Sequence, residues 1–125
     1  MTRGRAGSLA AVAVVSGGLA VTGPGVAASG TTAHLKAAAS GALKYNKTKL
    51  TVSAGKVTIT MKNPTGTGSK HGLEIEGHGI EKRAKNVKPG KTTSVTVKLK
   101  AGKYEYYCPV DGHHAAGMKG KLIVK

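Results

Sequence analysis

Short runs in which apolar residues recur at every second position constrain this chain more than any other feature. Leu50 and Val52 alternate with Thr51 and Ser53, and after the turn Ser53-Ala54-Gly55-Lys56 the pattern resumes with Val57, Ile59 and Met61 against Thr58, Thr60 and Lys62. Val95, Val97 and Leu99 repeat it, as do Leu122 and Val124 within Lys119–Lys125. A period of two buries one face of a strand and exposes the other. Gly, Pro and Asn at the ends of these runs turn the chain back on itself. The stretch from Ala33 to Val124 therefore predicts an all-β sandwich. Asn63-Pro64 ends one run, because proline offers no N–H to a strand ladder. Two segments are less constrained. The alanine-rich Ala33–Ala39 fits a strand or a turn of helix, and the basic Glu81–Gly90 reads as a surface connection with room for a helical turn. Phe and Trp are absent, so the core must come from small aliphatics and tyrosine.

Residues 1–28 read as a secretory leader, and 29–125 as one domain. Arg3 and Arg5 give a positive start, Leu9 to Val21 is apolar, and Val26-Ala27-Ala28 supplies small residues before a cleavage point at Ser29. The apolar stretch falls short of the roughly 20 residues that span a bilayer, and Gly17-Gly18 interrupts it. An exported, periplasmic, cell-envelope or extracellular protein is the expectation. Cys108 is the only cysteine, so no internal disulfide is available. In an oxidising compartment that leaves an intermolecular bridge, a reactive thiol or a metal ligand.

Metal ligation is favoured by what surrounds Cys108. The stretch Cys108-Pro-Val-Asp-Gly-His113-His114-Ala-Ala-Gly-Met118 sets a thiol, an imidazole and a thioether at intervals of five residues, with Pro109, Gly112 and Gly117 to bend the backbone. These donors suit copper, and a trigonal His₂Cys set with a weak axial Met is the blue-copper arrangement. The second histidine has to come from elsewhere. His71 is the candidate, since it shares the parity of Leu73 and Ile75 and so faces inward, while Glu74 and Glu76 face out. By the same parity Tyr104, Tyr106 and Cys108 share one face and Tyr107 lies on the other. His114 competes with His113 for the same role. His34 and His78 read as surface residues.

These residues resemble the cupredoxins, the plastocyanin-like and azurin-like type 1 copper proteins. The likeness rests on the Asn63-Pro64 loop leading to His71, the strand end Tyr106-Tyr107-Cys108-Pro109, and Gly112-His113 followed by Gly117-Met118-Lys119-Gly120, and it spans Leu35 to Lys125. It implies a Greek-key β-sandwich of about seven to eight strands. It also implies one copper ion, with His71, Cys108 and His113 as equatorial ligands and Met118 as the axial one. Gly112 ahead of His113 favours that residue over His114, which would then point to solvent. The chain departs from the family at Gly72 and Pro109, where an asparagine and commonly a hydroxyl residue brace the cysteine loop. The side-chain brace is therefore expected to be missing, leaving the Gly72 N–H to reach the Cys108 sulfur.

The expected function is that of a monomeric one-electron carrier between redox partners, not an enzyme, since no catalytic carboxylate pair, nucleophile with a base, or phosphate loop is evident. The His113 edge, flanked by Pro109, Val110, Ala115 and Ala116, is the expected electron port, and likeness to plastocyanin implies a second near Tyr107. A copper carrier supplying an oxidase, and a metal-free structural or adhesive sandwich, remain the alternatives. After loss of the leader, 18 Lys and Arg face 5 Asp and Glu. That balance suits an acidic redox partner or the anionic cell envelope. Nucleic acid is excluded as a partner by export and by the lack of aromatics among the basic residues.

Overall fold

The computed structural model describes residues 30–125, so the predicted leader at 1–28 lies outside the described residues. Eight strands run in order: β1 (Thr31–Lys36), β2 (Lys49–Val52), β3 (Gly55–Lys62), β4 (Glu74–Gly77), β5 (Ile80–Arg83), β6 (Thr92–Leu99), β7 (Gly102–Tyr107) and β8 (Lys119–Val124). They form two sheets, ordered β1-β3-β6 and β2-β8-β7-β4-β5. Strand β6 leaves β5 for the opposite sheet before the chain returns as β7, so the sandwich is closed by crossovers as well as hairpins. The all-β sandwich read from alternation is the fold found.

The inward residues of each run make one core. Leu35, Val57, Ile59, Met61 and Val95 come from the smaller sheet, and Leu50, Ile75, Tyr104, Tyr106, Leu122 and Val124 from the larger. Tyrosines take the bulk that Phe and Trp would supply, and their hydroxyls find partners where buried. The Tyr104 O–H donates to the Lys100 carbonyl at 2.9 Å and the Tyr106 O–H to the Lys47 carbonyl at 2.8 Å.

One segment left open is decided, one expectation is corrected, and one residue on its expected face proves to be covered. Thr31–Lys36 is a strand, because Ala33 and Leu35 continue the two-residue period and the segment pairs in parallel with β3 from Thr31↔Val57 to Lys36↔Lys62. Within the basic connection, Ile80–Arg83 is a strand and no helical turn forms, since Gly77-His78-Gly79 folds β4 and β5 into a hairpin. His78 there has φ 49°, the left-handed region, between two glycines that also have positive φ. It is exposed, as expected, and its ring lies 4.8 Å from that of Tyr104.

Glu74, placed on the outer face by parity, is only 1% exposed. It does lie on the outer face of its sheet. The register sets Arg83 of β5 on one side of it and Tyr107 of β7 on the other, and their side chains close over it. Arg83 Nε donates to its carboxylate at 3.0 Å. Burial pushes the Glu74 pKa upward, but hydrogen bonds from Tyr107, Arg83 and Glu81 outweigh it, and the net shift is downward. The carboxylate therefore stays ionised in a covered position.

Candidate metal centre

At the end of β7 the chain turns into the loop 109–117 and comes back as β8. The base of this loop is fastened by the Cys108 N–H, which donates to the Met118 carbonyl at 3.0 Å. Inside it, the Met118 N–H donates to the His113 carbonyl at 3.0 Å, His113 N–H to Val110 at 3.0 Å and Ala116 N–H to Gly112 at 3.1 Å. Gly112 and Gly117 sit at φ 79° and 108°, where a side chain would be strained. The loop is thus coiled upon itself, with its first, middle and last members drawn to one place. Cys108 and Met118 are fully buried, and His113 is 9% exposed.

His71 reaches the same place from the other direction. It lies ahead of β4 rather than within it, in an isolated bridge to Val87 made by hydrogen bonds of 3.1 and 2.8 Å. Asn63, buried at the end of β3, fixes what surrounds it. Its Nδ2 donates to the carbonyls of Ser69 and Val87, each at 2.9 Å, and its Oδ1 accepts from Thr67 Oγ1 at 2.6 Å. One amide thereby ties the glycine-rich loop to the segment at Val87 that pairs with His71. Ser69 Oγ lies 3.3 Å from His71 Nε2. A proton on Nε2 shared with that hydroxyl leaves Nδ1 as the free lone pair, the tautomer a metal ligand needs.

The donor atoms of His71, Cys108 and His113 all lie within 4.8 Å of one another. Cys108 Sγ is 3.9 Å from His71 Nδ1 and 3.5 Å from His113 Nδ1. The two imidazole rings are 5.0 Å apart, tilted by 51°. At these separations a single ion could contact the thiol and both imidazoles at ordinary metal–nitrogen and metal–sulfur distances. One thiol and two imidazoles in that geometry fit copper. Met118 sits beside both loop ligands through its backbone bonds.

The environment acts on these groups in opposite senses. Burial lowers the His71 pKa, with His113 adding to the effect, so the imidazole is neutral and available. Burial raises the Cys108 thiol, while hydrogen bonds from the backbone at Gly72 and Val110 oppose it. A metal must displace this proton, and binding releases it.

The Gly72 N–H does reach the sulfur, at 3.3 Å. The missing brace has two replacements that the sequence did not suggest. A Cβ at position 72 would collide with the Asn86 side-chain oxygen and come within 3.4 Å of Pro109 Cδ. Asn86 thus fills the place of a residue-72 side chain from the connection after β5. Tyr45 supplies the second. Its hydroxyl donates to the Gly72 carbonyl at 2.7 Å in a buried position, and its ring packs on Tyr106 with centroids 5.5 Å apart. Burial, then the nearby Cys108, raise the Tyr45 pKa far above the ordinary phenol value and keep it a donor. Tyr45 stands in a polar, lysine-flanked stretch with no alternation, so only its being one of four tyrosines in a chain without Phe or Trp marked it for attention.

His114 is turned away from the donor cluster. It is half-buried rather than fully solvated, stacked on Tyr107 at 4.2 Å and 17°, with Nε2 3.3 Å from a Glu105 carboxylate oxygen. His34 is exposed and bonded to Thr60 Oγ1 at 2.7 Å. Among the described residues, His71, Cys108 and His113 form the one cluster of three such donors able to share a metal ion.

Comparison with known proteins agrees with this geometry. Auracyanin B superposes with a TM-score of 0.67 at 23% identity, over 76% of this chain and 88% of that one. The dithionite-reduced auracyanin of Roseiflexus castenholzii gives 0.64 at 24% identity, over 75% and 96%. Auracyanin A of Chloroflexus aurantiacus, described as a "blue" copper protein, gives 0.62 at 23%, over 77% and 99%. At these identities the likeness establishes the shared fold. Among curated protein sequences none matches. Residues 32–125 match the family model described as copper binding proteins, plastocyanin/azurin family. With a sandwich of this topology and a His-Cys-His donor set built for copper, the chain belongs to the plastocyanin/azurin family of copper binding proteins.

Proposed function

We propose that this chain is an exported one-electron carrier whose single copper ion is held by His71, Cys108 and His113 and, more weakly, by Met118. The observation that supports it most is the convergence of three donors in a buried pocket, all within 4.8 Å. Copper bound there supplies a Cu(I)/Cu(II) couple. The protein's part is to hold one donor geometry for both charges. Asn63 and Ser69 fix His71, Gly72 and Tyr45 fix the surroundings of the sulfur, and the self-bonded loop fixes His113. Four protein donors leave no position for a substrate, which favours electron transfer over catalysis.

Electrons would pass at the His113 edge, where half-buried Pro109 and Val110 and exposed Ala115 and Ala116 allow close approach. Exposed Lys119 and Lys121, on the strand leaving the loop, favour an acidic redox partner through steering. A route by way of Tyr107 is less accessible, since His114 is stacked on that ring. A copper donor would need ligands that let go readily. The hydrogen bonds fastening His71 and Cys108 favour retention instead. Adding Cu(II) to the metal-free protein should give an intense visible thiolate-to-copper band and reversible voltammetry. Tight Cu(I) binding with rapid release to a chelator would favour delivery, and no spectral change would refute both.

A further inference from the structure

The carboxylates of this basic chain are segregated. All five acidic residues fall at or after Glu74, and four of them, Glu74, Glu76, Glu81 and Glu105, lie on β4, β5 and β7 of the larger sheet. Strands β1, β3 and β6 contain none.

The outer face of that smaller sheet is made of hydroxyls and lysines. The register places Thr32, Thr58 and Thr96 in one row and His34, Thr60 and Ser94 in the next. Thr58 and Thr96 are joined at 2.9 Å. Exposed lysine pairs close both ends, Lys36 beside Lys62 and Lys56 beside Lys98. Lys56 and Lys62 stand at opposite ends of β3, which puts the pairs about 20 Å apart. A single phosphate cannot bridge that distance, and an extended polyanion can. Apart from the His34 imidazole, bonded to Thr60 Oγ1, no aromatic or apolar side chain projects from the face to anchor a protein partner or enter a bilayer. Lysines on the larger sheet are placed differently, with Lys121 opposite Glu105 and a shared groove that also holds Glu76. Their charge is partly met within the protein.

We infer that the outer face of β1-β3-β6 is a docking surface for a linear phosphate polymer that carries no bases. Its lysine pairs take phosphates at both ends and its hydroxyl rows hydrogen-bond the chain between them. The face lies on the side of the sandwich, whereas the copper loop closes its end, so a docked molecule keeps the His113 edge free. The inference does not depend on copper.

The test uses the full chain, long-chain inorganic polyphosphate as probe, and two charge-matched quartets. One combines Lys36→Gln, Lys56→Gln, Lys62→Gln and Lys98→Gln, and the other Lys49→Gln, Lys103→Gln, Lys119→Gln and Lys121→Gln. Loss of four phosphate contacts should flatten the log K against log salt slope by about three in the first quartet, and by less than about one in the second. Amide shifts in the unsubstituted protein on adding polyphosphate should map to β1, β3 and β6. Equal flattening in both quartets, shifts confined to the larger sheet, or equally strong binding to anionic vesicles with the same dependence on the first quartet would overturn the inference.

Discussion

Tyr45→Phe isolates the contribution of one hydroxyl to the copper site. The ring can still pack on Tyr106, so the core loses only the hydroxyl's volume, but the Gly72 carbonyl loses its 2.7 Å donor in a buried position. A buried acceptor left unsatisfied costs about 1–3 kcal/mol. In a domain of this size each kcal/mol lowers Tm by about 4–8 °C, so the metal-free variant should melt about 5–20 °C below the parent. The site should register the change as well. Tyr45 holds the carbonyl end of the residue whose N–H donates to Cys108 Sγ at 3.3 Å. Glycine, once released, has the widest backbone freedom. That N–H stabilises the sulfur most when it is most negative, in the reduced state, so weakening it should lower the reduction potential. Tyr106→Phe is the control, because its hydroxyl bonds the remote Lys47 carbonyl at 2.8 Å. It should lower Tm and leave the potential in place. Circular-dichroism melts and protein-film voltammetry read the two effects. If Tyr45→Phe lowers Tm while the potential stays at the parent value, Tyr45 is only a structural residue. If neither moves, the reasoning about the buried carbonyl is wrong.

Cys108→Ala and His113→Ala should each abolish the visible copper band, whereas His114→Ala should retain it, because His114 is committed to Tyr107 and Glu105. Met118→Ala should keep copper and shift its potential. Gly72→Ala should cost little Tm, because what it meets is the end of the exposed Asn86 side chain, which can swing into solvent, and melts of Gly72→Ala with and without Asn86→Ala should agree. The metal-free protein should have a domed pH–stability profile in chemical denaturation. His71 is depressed by burial and then by His113, so the unfolded chain takes up its proton first, and stability falls as pH drops below about 6.5. Cys108 is raised by burial, so the unfolded chain loses its proton first and stability falls as pH climbs past about 8.5. Copper occupies both groups and should flatten both limbs.

Alternation carried the fold because most inward residues of the strands are apolar and most outward ones polar, a contrast that survives without an alignment. The same parity sent His71 and Cys108 inward, and both are fully buried. At Glu74 it gave the correct face but not the cover over it. Parity states which face of a sheet a residue occupies and says nothing about what neighbouring strands lay across that face, which depends on register. Glu74 lies on the outer face, as parity requires, but pairing sets Arg83 and Tyr107 beside it, and a nominally solvated carboxylate becomes covered. The bracing of the site was hidden for the same reason. Asn86 stands 14 residues after Gly72 and Tyr45 stands 27 before it, both in segments without a periodic pattern. Their roles come from the crossing of loops at the copper end of the sandwich. Local sequence shows that Gly72 lacks a side chain. Only the assembled fold shows that the exposed Asn86 side chain reaches over that space and that the Tyr45 hydroxyl holds the Gly72 carbonyl.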